Sequence, residues 1–455
     1  MLERKFTQFL EHFLMEETNK ILLVNGARQI GKSYLIRYVG KKLFTHFVEI
    51  NLKEDKEGDQ VFADVHTTRD LYMRLSNYYS EPLGDKMDTL VFLDEIQSYP
   101  HLMTMLKFLN QESRYRFIAS GSQLGVALSE TPSVPLGSVT IEQMFPLDFE
   151  EFLWATGISK EWIENIRGLF LQEKPLDERT HQLLLKRFQY YLLVGGLPEA
   201  INNYLADRNM VRVRQTHKDI HSLYRIDASQ YDEEHKLKIR KIYDLIPSNL
   251  ENKKKRVIYK SIEGKKGKTF SDYADEFEYL TNSGVALEVT AISNPRYPLT
   301  ESEQKRLVKL YLNDVGLLTH LLYGLNVNAV LQDIKSINLG TVYESVIAQE
   351  LSAHGFKLYY YDNKKKGEVD FLIDNQEGLK ALPLEIKSGK DYTEHSALTK
   401  FLETPDYGID RAIVFSNERE IFMKKGVTYL PIYYCMFLQN DHRGESVILP
   451  ELEPV

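Results

Sequence analysis

A single cysteine, Cys435, stands among 455 residues. That excludes an internal disulfide and any cysteine-built zinc site. Cys435 lies in an apolar run, 431–438, whose composition predicts a buried strand and an inert thiol. No stretch reaches the ~18 uninterrupted apolar residues of a membrane span. The leucine-rich segment 310–331 is broken by Asn313, Asp314, His320, Asn326 and Asn328. The opening residues run into Glu11, Glu16 and Glu17, which is not the pattern of a signal peptide. The expected compartment is a reducing cytoplasm. An excess of positive charge is missing too: 57 Lys and Arg face 65 Asp and Glu, for a net charge of −8. Contact with nucleic acid must then come from a local patch.

What is present is ordinary globular composition, 43% hydrophobic and 27% charged, at a length that predicts several domains. Residues 1–20 carry Leu2, Phe6, Phe9, Leu10, Phe13 and Leu14 at helical spacing. Short apolar strands then alternate with helices, at 21–24, 47–52, 89–93 and 115–119. That pattern predicts a parallel sheet covered on both faces. From 151 to 245 the pattern is helical. Segment 252–268 holds eight lysines and arginines against one acid, Glu263. A helix at 273–283 and a ribbon from 285–292 and 307–312 follow, the layout of a small winged-helix unit. A helix at 339–354 and strands at 357–361, 368–373, 382–386 and 412–415 make a second α/β unit. The expected fold class is therefore α/β. The expected domains are a P-loop core over 1–155, a helical lid over 156–245, a winged-helix-like basic unit over 246–325, and the second α/β unit over 326–455.

Residues Gly26-Ala27-Arg28-Gln29-Ile30-Gly31-Lys32-Ser33 fit G-x-x-x-x-G-K-[ST], between a predicted strand and a predicted helix. The glycines let backbone N–H groups turn toward phosphate oxygens. Lys32 brings charge to the β- and γ-phosphates, Ser33 offers a hydroxyl to Mg²⁺, and the helix N-terminus adds its dipole. Arg28 either reaches phosphate or lies exposed. A second apolar strand ends on Asp94-Glu95, where ligands of open α/β sheets bind. Asp94 is placed to hold Mg²⁺ through its water shell and Glu95 to orient the attacking water. Ser120 and Ser122, at the end of the next strand, are alternative sensors of the γ-phosphate. ATP and Mg²⁺ are the expected cofactors.

The run 26–33 and Leu93-Asp94-Glu95-Ile96-Gln97 resemble bacterial and archaeal AAA-type ATPases, in particular the group whose C-terminal half is DUF4143. Three further stretches resemble that group: Phe145-Pro146-Leu147-Asp148-Phe149-Glu150-Glu151-Phe152-Leu153, Gly195-Gly196-Leu197-Pro198-Glu199-Ala200, and Lys309-Leu310-Tyr311-Leu312-Asn313-Asp314-Val315-Gly316-Leu317-Leu318. Relatives often carry Gly-Arg before the first of these, where this chain has Gly137-Ser138. If that arginine is a finger in relatives, another must serve here, for example Arg225, supplied by the same chain or by a neighbouring subunit on self-association.

The C-terminal unit offers Asp370 in one apolar strand, and Glu385 and Lys387 two apart on one face of the next. Two carboxylates can hold Mg²⁺, and a lysine beside them can activate a hydroxide for phosphodiester attack. Glu344 in the preceding helix is a further candidate ligand. This order resembles the PD-(D/E)XK nuclease core, which implies a restriction-endonuclease-like domain. The basic segment 252–268, with Tyr259 and Phe270 either packed or stacking on bases, is the candidate DNA contact or else a solvated loop. Lys364-Lys365-Lys366 is a lesser one. Two functions follow. One is an ATP-dependent enzyme or switch acting on DNA, with a metal-dependent nuclease site. The other is an ATP-gated binding or regulatory protein whose nuclease-like fold does not cut. A third, a metabolic P-loop kinase, lacks an evident acceptor site.

Overall fold

The computed structural model describes residues 2–440 apart from 17, 19, 80, 81, 123, 126–136, 229–234, 333–338, 377 and 390. The first sheet is built from β1 (Ile21–Asn25), β2 (His46–Asn51), β3 (Thr89–Asp94), β4 (Arg116–Gly121) and β5 (Val139–Gln143), in the order β2-β3-β4-β1-β5. Every pairing is parallel. β1, β3 and β4 are buried along their whole length, while the edge strand β2 alternates. That is why the inner strands read as unbroken apolar runs. β5, the other edge, carries Thr140, Glu142 and Gln143 among its five residues and was not expected from the pattern. The register sets Asn25 beside Gly121 and Asp94 beside Ser120. The loops after β1, β3 and β4 therefore share one edge of the sheet.

Alternation assigns the two faces of this sheet to different cores. Leu22, Val24, Leu90, Phe92 and Ile118 join one core, and Ile21, Leu23, Val91, Leu93 and Ala119 another. The first core continues without a break through the helical region into the C-terminal half, taking in Phe188, Tyr224, Phe277, Val346 and Tyr434. The helical region holds helices Phe149–Ala155, Lys160–Leu171, Glu178–Val194, Pro198–Asp207, Met210–Ala228 and Lys236–Leu250. The last of these runs through the boundary expected at 245/246.

The second sheet has eight strands: β6 (Ala286–Ile292), β7 (Glu303–Leu312), β8 (Tyr359–Asn363), β9 (Gly367–Asn375), β10 (Lys380–Lys387), β11 (Ala412–Ser416), β12 (Phe422–Lys424) and β13 (Val427–Pro431). Their order is β12-β13-β11-β10-β9-β8-β6-β7. The ribbon expected as the wing of a separate unit, β6-β7, pairs through β6 with β8 in parallel. It thus extends the C-terminal sheet, and the middle and last regions share one layer. The run around Cys435 corrects another expectation. Residues Ile432–Phe437 form a 3-10 helix, with Cys435 buried among Tyr433, Tyr434 and Met436. A short run buried on all sides has no periodicity to separate strand from helix. No helix among the described residues is long and apolar enough to cross a membrane.

Candidate nucleotide site and the C-terminal acid cluster

The loop 26–33 leaves β1 at the shared sheet edge and enters the helix Lys32–Leu43. Gly26 has φ 145°, and a Cβ there would lie 2.4 Å from the Met144 carbonyl oxygen. Only glycine fits, for both conformation and space. The helix begins with no side-chain cap and no acid in its first turn. Its orphan N–H groups and dipole are thus left for an anion. The Lys32 amine donates to the Gly26 and Ala27 carbonyls at 2.7 and 2.8 Å. Burial pushes its pKa down to about 8, against the pull of Glu95 and Asp94. A buried ammonium held by neutral oxygens is a strong attractor for phosphate.

Asp94 is held from two sides. Ser33 Oγ donates to Asp94 Oδ2 at 2.8 Å, and Ser120 Oγ donates to Asp94 Oδ1. A loop hydroxyl and a strand-end carboxylate in contact form the donor set expected for Mg²⁺ at a nucleotide, so these residues fit that ion. Glu95 sits in the left-handed region, φ 54°, which costs a non-glycine residue roughly 1–2 kcal/mol. Its carboxylate accepts from Gln97 Nε2 at 2.5 Å and lies 3.5 Å from Ser122 Oγ. The two serines are therefore separated by role: Ser120 belongs to Asp94, and Ser122 to Glu95.

Arg28 is not exposed. Its Nε lies 3.4 Å from Ser122 Oγ and its Nη1 donates to Asp227 on the helix Met210–Ala228. Tyr224 on that helix donates to the Arg28 carbonyl at 2.9 Å. Arg225 is engaged by Asp244 at 2.8 Å; Arg28 lies in the loop itself, and Arg4 donates to the Ile30 carbonyl at 3.2 Å while paired with Glu151. Next to Gly31 opens a cleft of ≈ 410 Å³ lined by Leu2, Ile30, Tyr34, Leu35, Pro198 and Asn202. Of those residues only Ile30, in the 26–33 loop, and Pro198, in the Gly195-Gly196-Leu197-Pro198 motif, belong to a motif read in the sequence.

The three later motifs meet at one joint. The Leu147 N–H donates to the Gly196 carbonyl at 2.8 Å, and the Gly196 N–H donates to Asp314 Oδ2 at 2.6 Å. A Cβ on Gly196 would lie 2.0 Å from the Leu147 carbonyl oxygen. Asp314 also caps the helix Val315–Tyr323 through Leu317 N at 3.0 Å, and burial pushes its carboxyl up to about 6. Asp148 and Glu151 form a capping box on the helix Phe149–Ala155. The Phe149 N–H reaches Glu350 at 2.8 Å. The joint ties the first sheet to the helical region and to the C-terminal half.

In the second sheet, β9 and β10 form a hairpin in which Phe371 faces Leu384, and the Ile386 N–H donates to Asp370 Oδ2 at 2.9 Å. Glu344, Asp370, Glu385 and Lys387 come together, as their order predicted. Desolvation, with Glu385 and Glu344 nearby, pushes the Asp370 carboxyl well up. Burial raises Glu385 as well, opposed by Lys387 at 2.9 Å. The unexpected member is Lys255 of the basic segment, whose ammonium pairs with Glu344. Lys309, fully buried, lies 2.5 Å from Glu368. Among the described residues no group of three or more His, Cys, Asp or Glu side chains is placed to hold a metal ion. The carboxylates here are met by ammonium groups of the chain itself, so the set does not fit a ready metal centre.

The basic segment is partly spent inside the molecule. Lys254 and Arg256 both pair with Asp362, Lys255 with Glu344, and Lys268 with Asp272 at 2.8 Å. Tyr259 stacks on Tyr273 and Phe270 on Phe277, so both rings pack. Lys253, Lys260 and Lys266 are exposed. Lys366 donates to Thr404 at 2.9 Å, while Lys364 and Lys365 are exposed.

Residues 18–153 match the family model for an AAA domain, and residues 339–435 match the domain of unknown function DUF4143. The chain carries an AAA-type P-loop domain joined to a DUF4143 region. Between them, residues 185–329 match a second domain of unknown function, DUF8612, which spans most of the helical lid and the β6-β7 ribbon. No curated protein matches the chain. Among solved structures, a Walker-type ATPase of Pyrococcus abyssi is similar at 16% identity and a TM-score of 0.43, covering 71% of this chain and 96% of that one. The RuvB Holliday junction branch migration motor of Thermotoga maritima is similar at 14% identity and a TM-score of 0.29, covering 65% and 90%.

Proposed function

We propose that the chain is a Mg²⁺-dependent ATPase whose cycle controls a nuclease-like C-terminal sheet that engages DNA. The observation that carries the ATPase reading is the contact of Ser33 and Ser120 with Asp94, set beside Lys32 and a left-handed Glu95. Lys32 and the open helix N-terminus take the phosphates. Ser33 and Asp94 hold Mg²⁺ there. Glu95, fixed by Gln97 and Ser122, orients the water. The cleft by Leu2, Tyr34 and Pro198 takes the base, so that the lid touches the nucleotide. The joint at Leu147, Gly196 and Asp314 passes movement of the lid to the second sheet. Exposed Lys253, Lys260, Lys266, Lys364 and Lys365 supply the phosphate contacts to DNA, and the soluble chain works in the cytoplasm, alone or self-associated.

A second reading is favoured by the ammonium groups in the acid cluster: the C-terminal sheet binds DNA without cutting it. Lys255 on Glu344 and Lys387 on Glu385 neutralise the carboxylates that a metal would need. One set of assays separates these readings. ATP hydrolysis is measured with and without DNA for wild type and Glu95→Gln, and DNA cleavage in Mg²⁺ or Mn²⁺ for wild type and Glu385→Ala. DNA-stimulated hydrolysis lost in Glu95→Gln supports the switch. Cleavage lost in Glu385→Ala supports the nuclease, and binding without cleavage supports the second reading. Hydrolysis unaffected by DNA, with no DNA binding, removes DNA from the account.

A further inference from the structure

We propose that Arg28 is the group that meets the γ-phosphate of ATP, supplied in cis from inside the phosphate loop, and that Asp227 of the lid competes with the phosphate for it. The inference rests on the ATPase reading and adds to it the arginine that the Gly137-Ser138 departure leaves unassigned. Arg28 is the second residue after Gly26, in the part of the loop that curls over the phosphates. Its Nε lies 3.4 Å from Ser122 Oγ, and that hydroxyl is 3.5 Å from Glu95 Oε2. The guanidinium is thus one hydroxyl away from the carboxylate that faces the water. On its other side it is paired with Asp227. Both side chains are largely buried, 18% and 10% exposed, so the pair is poorly screened and its partner choice matters energetically.

Both members are gripped, one by the lid and one by the helix Ala274–Asn282. Tyr224 holds the Arg28 carbonyl at 2.9 Å, and Tyr279 donates to the Asp227 carbonyl at 2.8 Å. A phosphate carries more charge than one carboxylate and offers several acceptor oxygens, so it can draw the guanidinium away from Asp227. In the hydrolytic step the water oxygen bonds to the γ-phosphorus as the bond to the β–γ bridging oxygen breaks. The electron pair stays with ADP and the water proton passes to Glu95. Charge on the γ-oxygens is balanced by Arg28 with Lys32. Release of Asp227 then loosens the helix Met210–Ala228 from the loop, which links the γ-phosphate to the lid.

The test uses the full chain as wild type, Arg28→Ala, Asp227→Asn, the Arg28→Ala/Asp227→Asn double variant, and Lys32→Ala as a control on the ATPase reading. ATP turnover, the affinities for ATP and ADP, and hydrogen exchange along 210–228 are read for each. The double variant leaves no buried unpaired carboxylate and separates catalysis from folding. Its turnover is expected to fall on the order of 100-fold or more, with ADP affinity within a few-fold of wild type. Asp227→Asn is expected to raise the affinity for ATP relative to ADP several-fold. In wild type, ATP but not ADP is expected to speed exchange along 210–228. Turnover of the double variant within a few-fold of wild type, with Lys32→Ala inactive, overturns the role of Arg28 and leaves the ATPase intact. An ATP-to-ADP preference unchanged in Asp227→Asn overturns the competition. Wild-type turnover in Lys32→Ala overturns the ATPase reading and this inference with it.

Discussion

The chain has two charged centres, each on a β-sheet, and they are balanced in opposite ways. At the N-terminal one the buried ammonium of Lys32 is held by neutral carbonyl oxygens, and the helix behind it has neither cap nor acid. No carboxylate bonds to this ammonium, although Glu95 and Asp94 are near enough to pull on it. At the C-terminal one the carboxylates of Glu344 and Glu385 are each met by a lysine of the same chain. Little charge is left over. The first ammonium has no carboxylate bonded to it, whereas the second set is largely ion-paired, with Glu385 Oε2 left buried without a hydrogen-bond partner. Similar residue types, acids and lysines clustered beside a sheet, therefore support a binding reading in one place and a structural one in the other. The decisive fact is which partner each charge has found.

The sharpest way to break that comparison is to remove the Lys32 ammonium. Lys32→Ala should lower ATP turnover by on the order of 10²–10³-fold, measured by phosphate release. A variant with near-normal turnover would mean that the ammonium is not used.

The next largest effect is expected where the charges are matched. Lys255→Met leaves Glu344 buried without its ammonium, which should cost about 3–5 kcal/mol by denaturant unfolding. Adding Glu344→Gln should recover most of the loss. If Mg²⁺ then stabilises Lys255→Met but not wild type, the lysine stands where a cation can bind. An unchanged stability would show that the pair is not coupled.

A pH series sharpens the joint between the two regions. Asp314 has its folded-state pKa raised to about 6 from an ordinary 3.8. The folded state therefore holds a proton that the unfolded chain has lost between those values. Stability from this group is greatest below about pH 4, falls as pH rises toward 6, and bears its full cost above that. The difference amounts to roughly 3 kcal/mol at most. Asp314→Asn should flatten this part of the unfolding profile between pH 4 and 6. An identical slope in both proteins would remove Asp314 as its source.

The smallest effect is expected at the surface. Changing Lys253, Lys260 and Lys266 to Ala should weaken DNA binding modestly and reduce the salt slope by up to about 3. Equal reduction on changing Lys254 and Arg256, which Asp362 already holds, would contradict the account of which charges are free.

The nucleotide site was legible because its parts are close in sequence and tied to strand ends. Gly26 to Ser33 and Asp94-Glu95 each follow an apolar strand that alternation or full burial marks clearly. The hairpin with Asp370, Glu385 and Lys387 was legible for the same reason. What escaped were partners brought in from afar. Asp227 lies 199 residues from Arg28, and Lys255 lies 89 from Glu344. No local pattern distinguishes such a residue from a solvated one. The β6-β7 ribbon was found as a ribbon, but its edge pairing with β8 depends on backbone hydrogen bonds that side-chain patterns do not encode. Cys435 went to a strand because an apolar run of that length fits a strand or a buried helical turn equally well.

The most direct test of the central claim is ATP hydrolysis by the purified chain in Mg²⁺, comparing wild type with Glu95→Gln, together with ATP binding by both. The account predicts that both bind ATP and that only wild type turns it over. Equal turnover in the two, or no ATP binding by wild type, would contradict it.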